Sequence, residues 1–144
     1  KTRFVYDARF GDSITTAAAE AGLEDRVAVE AGPTESTRPG GQHDLVLVTH
    51  VLHRFTEEQN REILKAAREA AAPGATLMLL EFFLDDDEKQ RSIDALHAGE
   101  YYNIDGTVVY PIDRVEGWLA EAGWQKDRVV PLPGSPRVLV ATAV

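Results

Sequence analysis

Four side chains stand out as places where chemistry could be done: Asp7, His50, His53 and Glu81. His53 follows an apolar run, DLVLVT, after which the chain must leave the interior. A histidine titrates near neutrality, so at such a rim it can take a proton from a phenol-type hydroxyl. The competing reading of His53 is a capping residue in a loop. Glu81 falls inside a second apolar run, TLMLLEFF. A carboxylate there is costly without a partner. An imidazole whose tautomer it fixes is one candidate partner, and a neighbouring arginine is another. Asp7 closes the run RFVYD. At the carboxyl end of a sheet strand an acid can accept the ribose hydroxyls of a nucleoside, or it can cap a helix. His50 and His53 are three positions apart, but no third ligand follows at convincing spacing, so no metal site is expected. His43 and His97 read as surface or rim residues.

These positions need elements to hold them. The β-branched and aromatic runs Arg3–Asp7 and Arg26–Glu30 read as strands. Asp44–Thr49 and Thr76–Phe83 are almost continuously apolar, the pattern of strands buried on both faces of a parallel sheet. Ser13–Ala21 is alanine-rich and stops at Gly22, as a helix would. Gly32–Gln42 reads as a loop. Thr56 and Gln59 form a capping box for a helix whose apolar stripe is Ile63, Leu64, Ala67 and Ala71, with Pro73-Gly74 as its stop. The acids Asp85, Asp86 and Asp87 predict a helix start, with the helix reaching about Tyr102. Pro111 predicts the first position of a further helix with Val115, Trp118, Leu119 and Ala122 on its core face, ended by Gly123. Gln125–Pro131 and Arg137–Ala143, joined through Pro133-Gly134-Ser135, predict an antiparallel hairpin. Alternating strands and helices mean an α/β fold with a mostly parallel sheet.

Composition bounds the function. The 144 residues suit one domain, residues 1–144, with one core. A net charge of −9 argues against nucleic acid and against an anionic membrane surface as partners. The absence of cysteine removes disulfides, thiolate nucleophiles and zinc-thiolate sites. No apolar run is long enough to span a bilayer, and no signal peptide is visible after Lys1-Thr2-Arg3, so a cytoplasmic location is expected.

Four stretches, taken in order, resemble one family. AGLEDRVAVEAG (Ala21–Gly32), DLVLVTHVLHRFTEE (Asp44–Glu58), REAAAPGATLMLLEFF (Arg68–Phe83) and the segment Tyr110–Trp124 with its EAGW close are similar to class I S-adenosylmethionine-dependent O-methyltransferases acting on aromatic and polyketide-like small molecules. The resemblance implies a Rossmann-like sheet of seven strands whose last is antiparallel, with a helical substrate-binding and dimerising region in front. On this alignment the chain starts at the second strand and lacks the first, with its glycine-rich loop. Placing Arg3–Asp7 as the first strand instead would delete the second.

The resemblance also implies roles. His53 matches the family's base, Glu81 the glutamate that orients it, and Asp7, Gly32 and Thr49 fall at cofactor-binding positions for S-adenosylmethionine. It implies a small-molecule hydroxyl as substrate and a homodimer. The sequence also departs from the family pattern. Arg54 stands where an aspartate follows the histidine, and Phe55 where a tryptophan does. Ala31-Gly32-Pro33 replaces an acid, for which Glu35 is a candidate substitute, and Val109 aligns with a second base-orienting glutamate. The lost acids keep an alternative open: a degenerate, non-catalytic module of the same fold, kept for binding or dimerisation. A dehydrogenase-type nucleotide-binding domain is disfavoured by the absent G-x-G-x-x-G and by the closing hairpin.

Overall fold

A computed structural model describes residues 2–6, 11–86, 88 and 90–144; for residues 2–6, 11 and 31 only the backbone is described. The order is β1 (Thr2–Tyr6), α1 (Gly11–Glu20), β2 (Val27–Ala31), β3 (His43–Thr49), a 3-10 turn (Leu52–Arg54), α2 (Glu57–Glu69), β4 (Ala71–Glu81), α3 (Ser92–Asp105), α4 (Ile112–Glu121), β5 (Trp124–Pro131) and β6 (Arg137–Ala143).

The strands form two sheets. β1 and β2 pair in parallel from Thr2↔Val27 to Tyr6↔Ala31. The second sheet runs β3-β4-β6-β5, with β3 and β4 parallel and the other two pairings antiparallel. The expected hairpin is present, and β6 also pairs with β4, so the antiparallel strand is built into the sheet. β1 and β3 each end their sheet; among the described residues no strand pairs with their outer edges. This is the arrangement expected of a methyltransferase sheet without its first strand. Among the described residues no helix is long and apolar enough to cross a membrane.

The pleat of β4 explains where the site lies. Leu77, Leu79 and Glu81 alternate onto one buried face. The two leucines join Leu64, Phe83, Val115, Trp118, Leu119, Trp124 and Leu139 in the core. Glu81 continues that row to the strand's carboxyl end. α2 presents Asn60, Ile63, Leu64, Ala66 and Ala67 to the same core. The expected capping box starts it: Thr56 Oγ1 accepts from the Gln59 amide at 3.3 Å, and Gln59 Oε1 accepts from the Thr56 amide at 3.0 Å.

Four local expectations are corrected. Helix α2 ends at Glu69, so Ala71 opens β4 instead of extending the helical stripe. Pro73-Gly74 lies within β4 as an irregularity, where the register jumps from His43↔Ala71 to Leu45↔Thr76. A proline has no N–H for the ladder, and Gly74 takes φ 76°, so the strand bulges there. Asp85 does not start a helix. Its carboxylate instead accepts from Arg137 Nη1 at 2.6 Å, and α3 begins at Ser92; Asp87 lies outside the described residues. Pro111 sits just before α4 as its cap, with ψ 139°, one position earlier than expected.

Candidate active site

β3 ends at Thr49, and the chain then reverses through His50, whose φ of 51° is left-handed. That turn leads into Leu52–Arg54, which points the His53 ring inward; His53 is 4% exposed. Asn60, fully buried on α2, secures the turn by donating from Nδ2 to the Leu52 carbonyl at 2.9 Å and the Phe55 carbonyl at 3.2 Å. The Tyr110 hydroxyl donates to the Phe55 carbonyl at 2.8 Å, and the Val108 amide to the His53 carbonyl at 3.1 Å.

Glu81 reaches this turn from β4 and is 2% exposed. One carboxylate oxygen accepts from the Leu52 amide at 3.0 Å. The other accepts from the Phe82 amide at 2.9 Å and lies 3.0 Å from His53 Nδ1. A carboxylate held by two amides cannot rotate away, and it only accepts. The Nδ1 contact therefore assigns the proton of a neutral imidazole to Nδ1 and the lone pair to Nε2. Such a histidine is ready to accept a proton on Nε2, and Glu81 stabilises the cation that results. His50 Nδ1 stands 3.7 Å from the same Glu81 oxygen with its side chain 42% exposed, so two histidines flank one buried acid.

Aromatic rings surround the pair. Tyr101 of α3 lies 4.8 Å from the His53 ring and 5.3 Å from Phe82. Burial raises the Tyr101 hydroxyl above its usual range, and the nearby Glu81 charge adds to this, so the hydroxyl keeps its proton. Phe82 also lies 5.1 Å from His50 and 5.3 Å from His97.

Of the sequence candidates, the structure brings His53 and Glu81 together. Thr49 is exposed at the carboxyl end of β3, directly before the reversal. Gly32 packs against Thr37: a Cβ there would fall on the Thr37 hydroxyl, which donates to the Pro33 carbonyl at 2.7 Å. Its small size thus serves the 33–37 turn. Asp7 lies outside the described residues. Val109, where a second acid is absent, is buried. Tyr101, Phe82 and the paired position of His50 were not anticipated. The available signal was the four-residue spacing of His97 and Tyr101, which puts both rings on one face of a helix.

The family model for the O-methyltransferase domain matches residues 4–107. The chain is 35% identical over 77 residues to a 3-hydroxy-5-methyl-1-naphthoate 3-O-methyltransferase of Streptomyces sahachiroi, covering 54% of this chain and 22% of that protein. It is 28% identical over 125 residues to the O-methyltransferase SfmM3 of Streptomyces lavendulae, covering 83% of this chain and 37% of that one. Among solved structures, the S-adenosylmethionine-dependent methyltransferase SibL in its apo form superposes with a TM-score of 0.85 at 27% identity, over 98% of this chain and 42% of its own. The chain therefore spans well under half the length of these relatives.

Proposed function

The chain belongs to the O-methyltransferase domain family, and from that premise we propose that the protein moves a methyl group from S-adenosylmethionine to a hydroxyl of an aromatic or polyketide-like small molecule, with His53 as the base. The observation that carries this is the buried contact of 3.0 Å between His53 Nδ1 and Glu81. A base held at Nδ1 by a fixed carboxylate presents Nε2 to an acceptor hydroxyl. Removing the hydroxyl proton as the new bond forms makes the oxygen a better nucleophile, and Glu81 compensates the charge that His53 gains. Tyr101 packs beside the imidazole, with the ring centroids 4.8 Å apart.

S-adenosylmethionine, when bound, supplies a methyl group on a cationic sulfur, an electrophile that needs no further activation. Thr49 fits such a ligand, because it is exposed at the carboxyl end of a parallel strand, where α/β sheets hold nucleosides. Asp7 and Gly32 complete the proposed set of cofactor positions. A buried histidine-carboxylate pair is expensive to maintain without a use, which counts against a non-catalytic module. The same reading places the enzyme in the cytoplasm, in secondary metabolism, as a homodimer.

The test is methyl transfer by the intact gene product to a panel of hydroxylated arenes, with wild type and His53→Ala compared. His53→Ala is expected to slow transfer about 10²-fold or more while S-adenosylmethionine affinity holds. Equal loss of both would assign His53 a structural role instead.

A further inference from the structure

His50 carries the chain around the end of β3 with φ 51°, in the left-handed region. Its amide donates to the Leu80 carbonyl at 2.9 Å, so β4 holds it there. Glycine fills such a position at least cost, and a side chain kept there calls for another reason. The ring supplies one. His50 Nδ1 lies 3.7 Å from Glu81 Oε1, the same oxygen that stands 3.0 Å from His53 Nδ1. The two rings differ in access: the His50 side chain is 42% exposed and that of His53 3%. His50 therefore exchanges protons with solvent directly, whereas solvent barely reaches His53.

The carboxylate does not swing between the two rings, because the Leu52 amide holds one oxygen at 3.0 Å and the Phe82 amide the other at 2.9 Å. What changes is charge. A neutral His50 at 3.7 Å is beyond hydrogen-bonding distance and leaves the Glu81 charge to His53. A protonated His50 pairs with Glu81, and at this range beside a buried acid the attraction is only partly screened. It also repels the cation that His53 becomes on taking a proton. Position 109, where the resemblance places a second acid, is a buried valine and offers no carboxylate to offset a second cation. The turn contributes one further charged group, Arg54, which acts on Tyr101. α3 meets the His50 ring through Phe82, at 5.1 Å, with His97, Tyr101, Glu100 and Asp105 around Phe82. Of these carboxylates, Glu81 is the one in ion-pair range of a His50 nitrogen.

Resting on the methyl-transfer reading, we propose that His50 is a positioning residue that sets, through Glu81, how strongly His53 holds the proton it takes from the acceptor. With His50 neutral, Glu81 serves His53 alone and the base is at full strength. With His50 protonated, the carboxylate is shared and the base is weakened. Methyl transfer at this site therefore declines toward acid pH through two histidines, the exposed one acting on the buried one.

The experiment follows the histidine Cε1 protons by NMR from acid to alkaline pH in the intact gene product loaded with S-adenosylhomocysteine. Wild type, His50→Asn and His50→Lys are compared. Asparagine accepts left-handed backbone and carries no charge, and lysine keeps a cation at this position up to about pH 10. The two substitutions should move His53 in opposite directions. In His50→Asn it should titrate in one step, at a pH about one unit above that in His50→Lys, a tenfold difference in proton affinity. Wild type should lie between them with a broadened curve, as coupled groups give. His50→Gly, which relieves the backbone and removes the charge, should match His50→Asn. Should the lysine variant not fold, the two neutral variants decide: the broad wild-type curve must narrow in both. One His53 curve common to all the proteins would overturn the proposal. So would a displacement in the same direction by asparagine and lysine, or a glycine variant that departs from the asparagine one, since backbone strain and not charge would then be at work. Methyl transfer to the arene panel, measured in parallel, separates the two ideas. Coupled titration without transfer overturns the methyl-transfer reading alone, and transfer without the coupling overturns the role of His50 alone.

Discussion

The rings of His53 and Tyr101 lie 4.8 Å apart and are tilted by 38°, though one belongs to the turn after β3 and the other to α3. The imidazole is therefore fixed twice, by a carboxylate on its Nδ1 edge and by a phenol against its ring. Neither support comes from its own segment of chain: Glu81 ends β4, and Tyr101 depends on where α3 is anchored.

The carboxylate support is open to direct test. Glu81→Gln preserves the volume and one accepting oxygen but removes the charge that stabilises a protonated His53. Methyl transfer should fall by about 10²- to 10⁴-fold, as when the acid behind a catalytic histidine is neutralised. S-adenosylmethionine affinity should not change. Glu81→Ala should in addition lower stability, because the Leu52 and Phe82 amides and His53 Nδ1 lose their acceptor, at about 1–3 kcal/mol for each buried group. Single-turnover kinetics and urea denaturation separate the two effects.

The anchor of α3 is a buried carboxylate. Asp94 accepts from Arg91 Nε at 2.8 Å, from Arg91 Nη2 at 2.9 Å and from Ser135 Oγ at 2.6 Å, and lies 3.5 Å from Arg137 Nη2. It ties the first turn of α3 to the segment between β5 and β6. Asp94→Ala removes the buried acceptor of Arg91 and of the Ser135 hydroxyl, while Arg137 keeps Asp85 at 2.6 Å and the Phe83 carbonyl. A loss of about 1–3 kcal/mol is expected, read as a lower urea midpoint with unchanged slope. Ser135→Ala removes one hydrogen bond and should lose only about 1 kcal/mol.

How far the sequence reaches is visible in these residues. His53 and Glu81 were readable because each is a polar residue at the end of an apolar run, and such runs fix where strands finish. The succession of strands along the chain followed from the same patterning, and the closing hairpin from the short Pro133-Gly134-Ser135 connection between its two strands. The start of α3 did not. Three consecutive acids look like a helix N-terminus, but Asp85 is held by Arg137, a partner 52 positions away that no local pattern reveals. The stop read from Pro73-Gly74 was likewise real as an interruption, yet it interrupts a strand. Tyr101 was missed because α3 is weakly amphipathic, with Leu96, Tyr102 and Ile104 exposed. In a helix without a clean apolar stripe, the spacing of His97 and Tyr101 was the one weak indication of which face meets the sheet.

Tyr101 also has a pH signature. Burial first, and the Glu81 charge second, raise its hydroxyl above the ordinary value of 10.0. A group whose folded value is raised favours the folded state fully below the unfolded value, and that contribution is lost as pH rises through the folded one. Stability should therefore hold up to about pH 10 and decline above it. Tyr110, raised by burial and then by Glu57, acts in the same direction. Absorbance titration of tyrosinate should show a late-ionising fraction, and Tyr101→Phe should remove part of it. If the titration curve keeps the same shape in the variant, Tyr101 does not belong to that fraction.

The last prediction concerns Lys1–Val144 by itself, which should bind S-adenosylmethionine more weakly than about 1 mM. The four-stranded sheet ends at β3 and the two-stranded sheet at β1, with no pairing between them among the described residues. In a fold of this type the ligand crevice lies outside the carboxyl ends of the strands, where the strand order reverses. Neighbouring strands stand about 4.8 Å apart, so a further strand between β1 and β3, as the family resemblance implies, would set them roughly two spacings apart; among the described residues no strand pairs with the outer edge of either. The face beside that edge is also bare: Leu45 is 52% and Leu47 60% exposed on β3, and Met78 is 37% exposed next to them on β4. Apolar side chains in such a row mark a surface that something normally covers. A crevice with one wall open to water loses both the backbone contacts that would hold a nucleoside and the low dielectric that strengthens them. Calorimetric titration of the ligand into the isolated chain, beside the intact gene product, measures the difference. Weak, non-saturating heat for the chain and saturable binding for the intact protein are the expected outcome. One-to-one binding of the chain in the micromolar range would mean that β1, β2 and β3 already form a complete site, and that the open edge of β3 has no part in holding the cofactor.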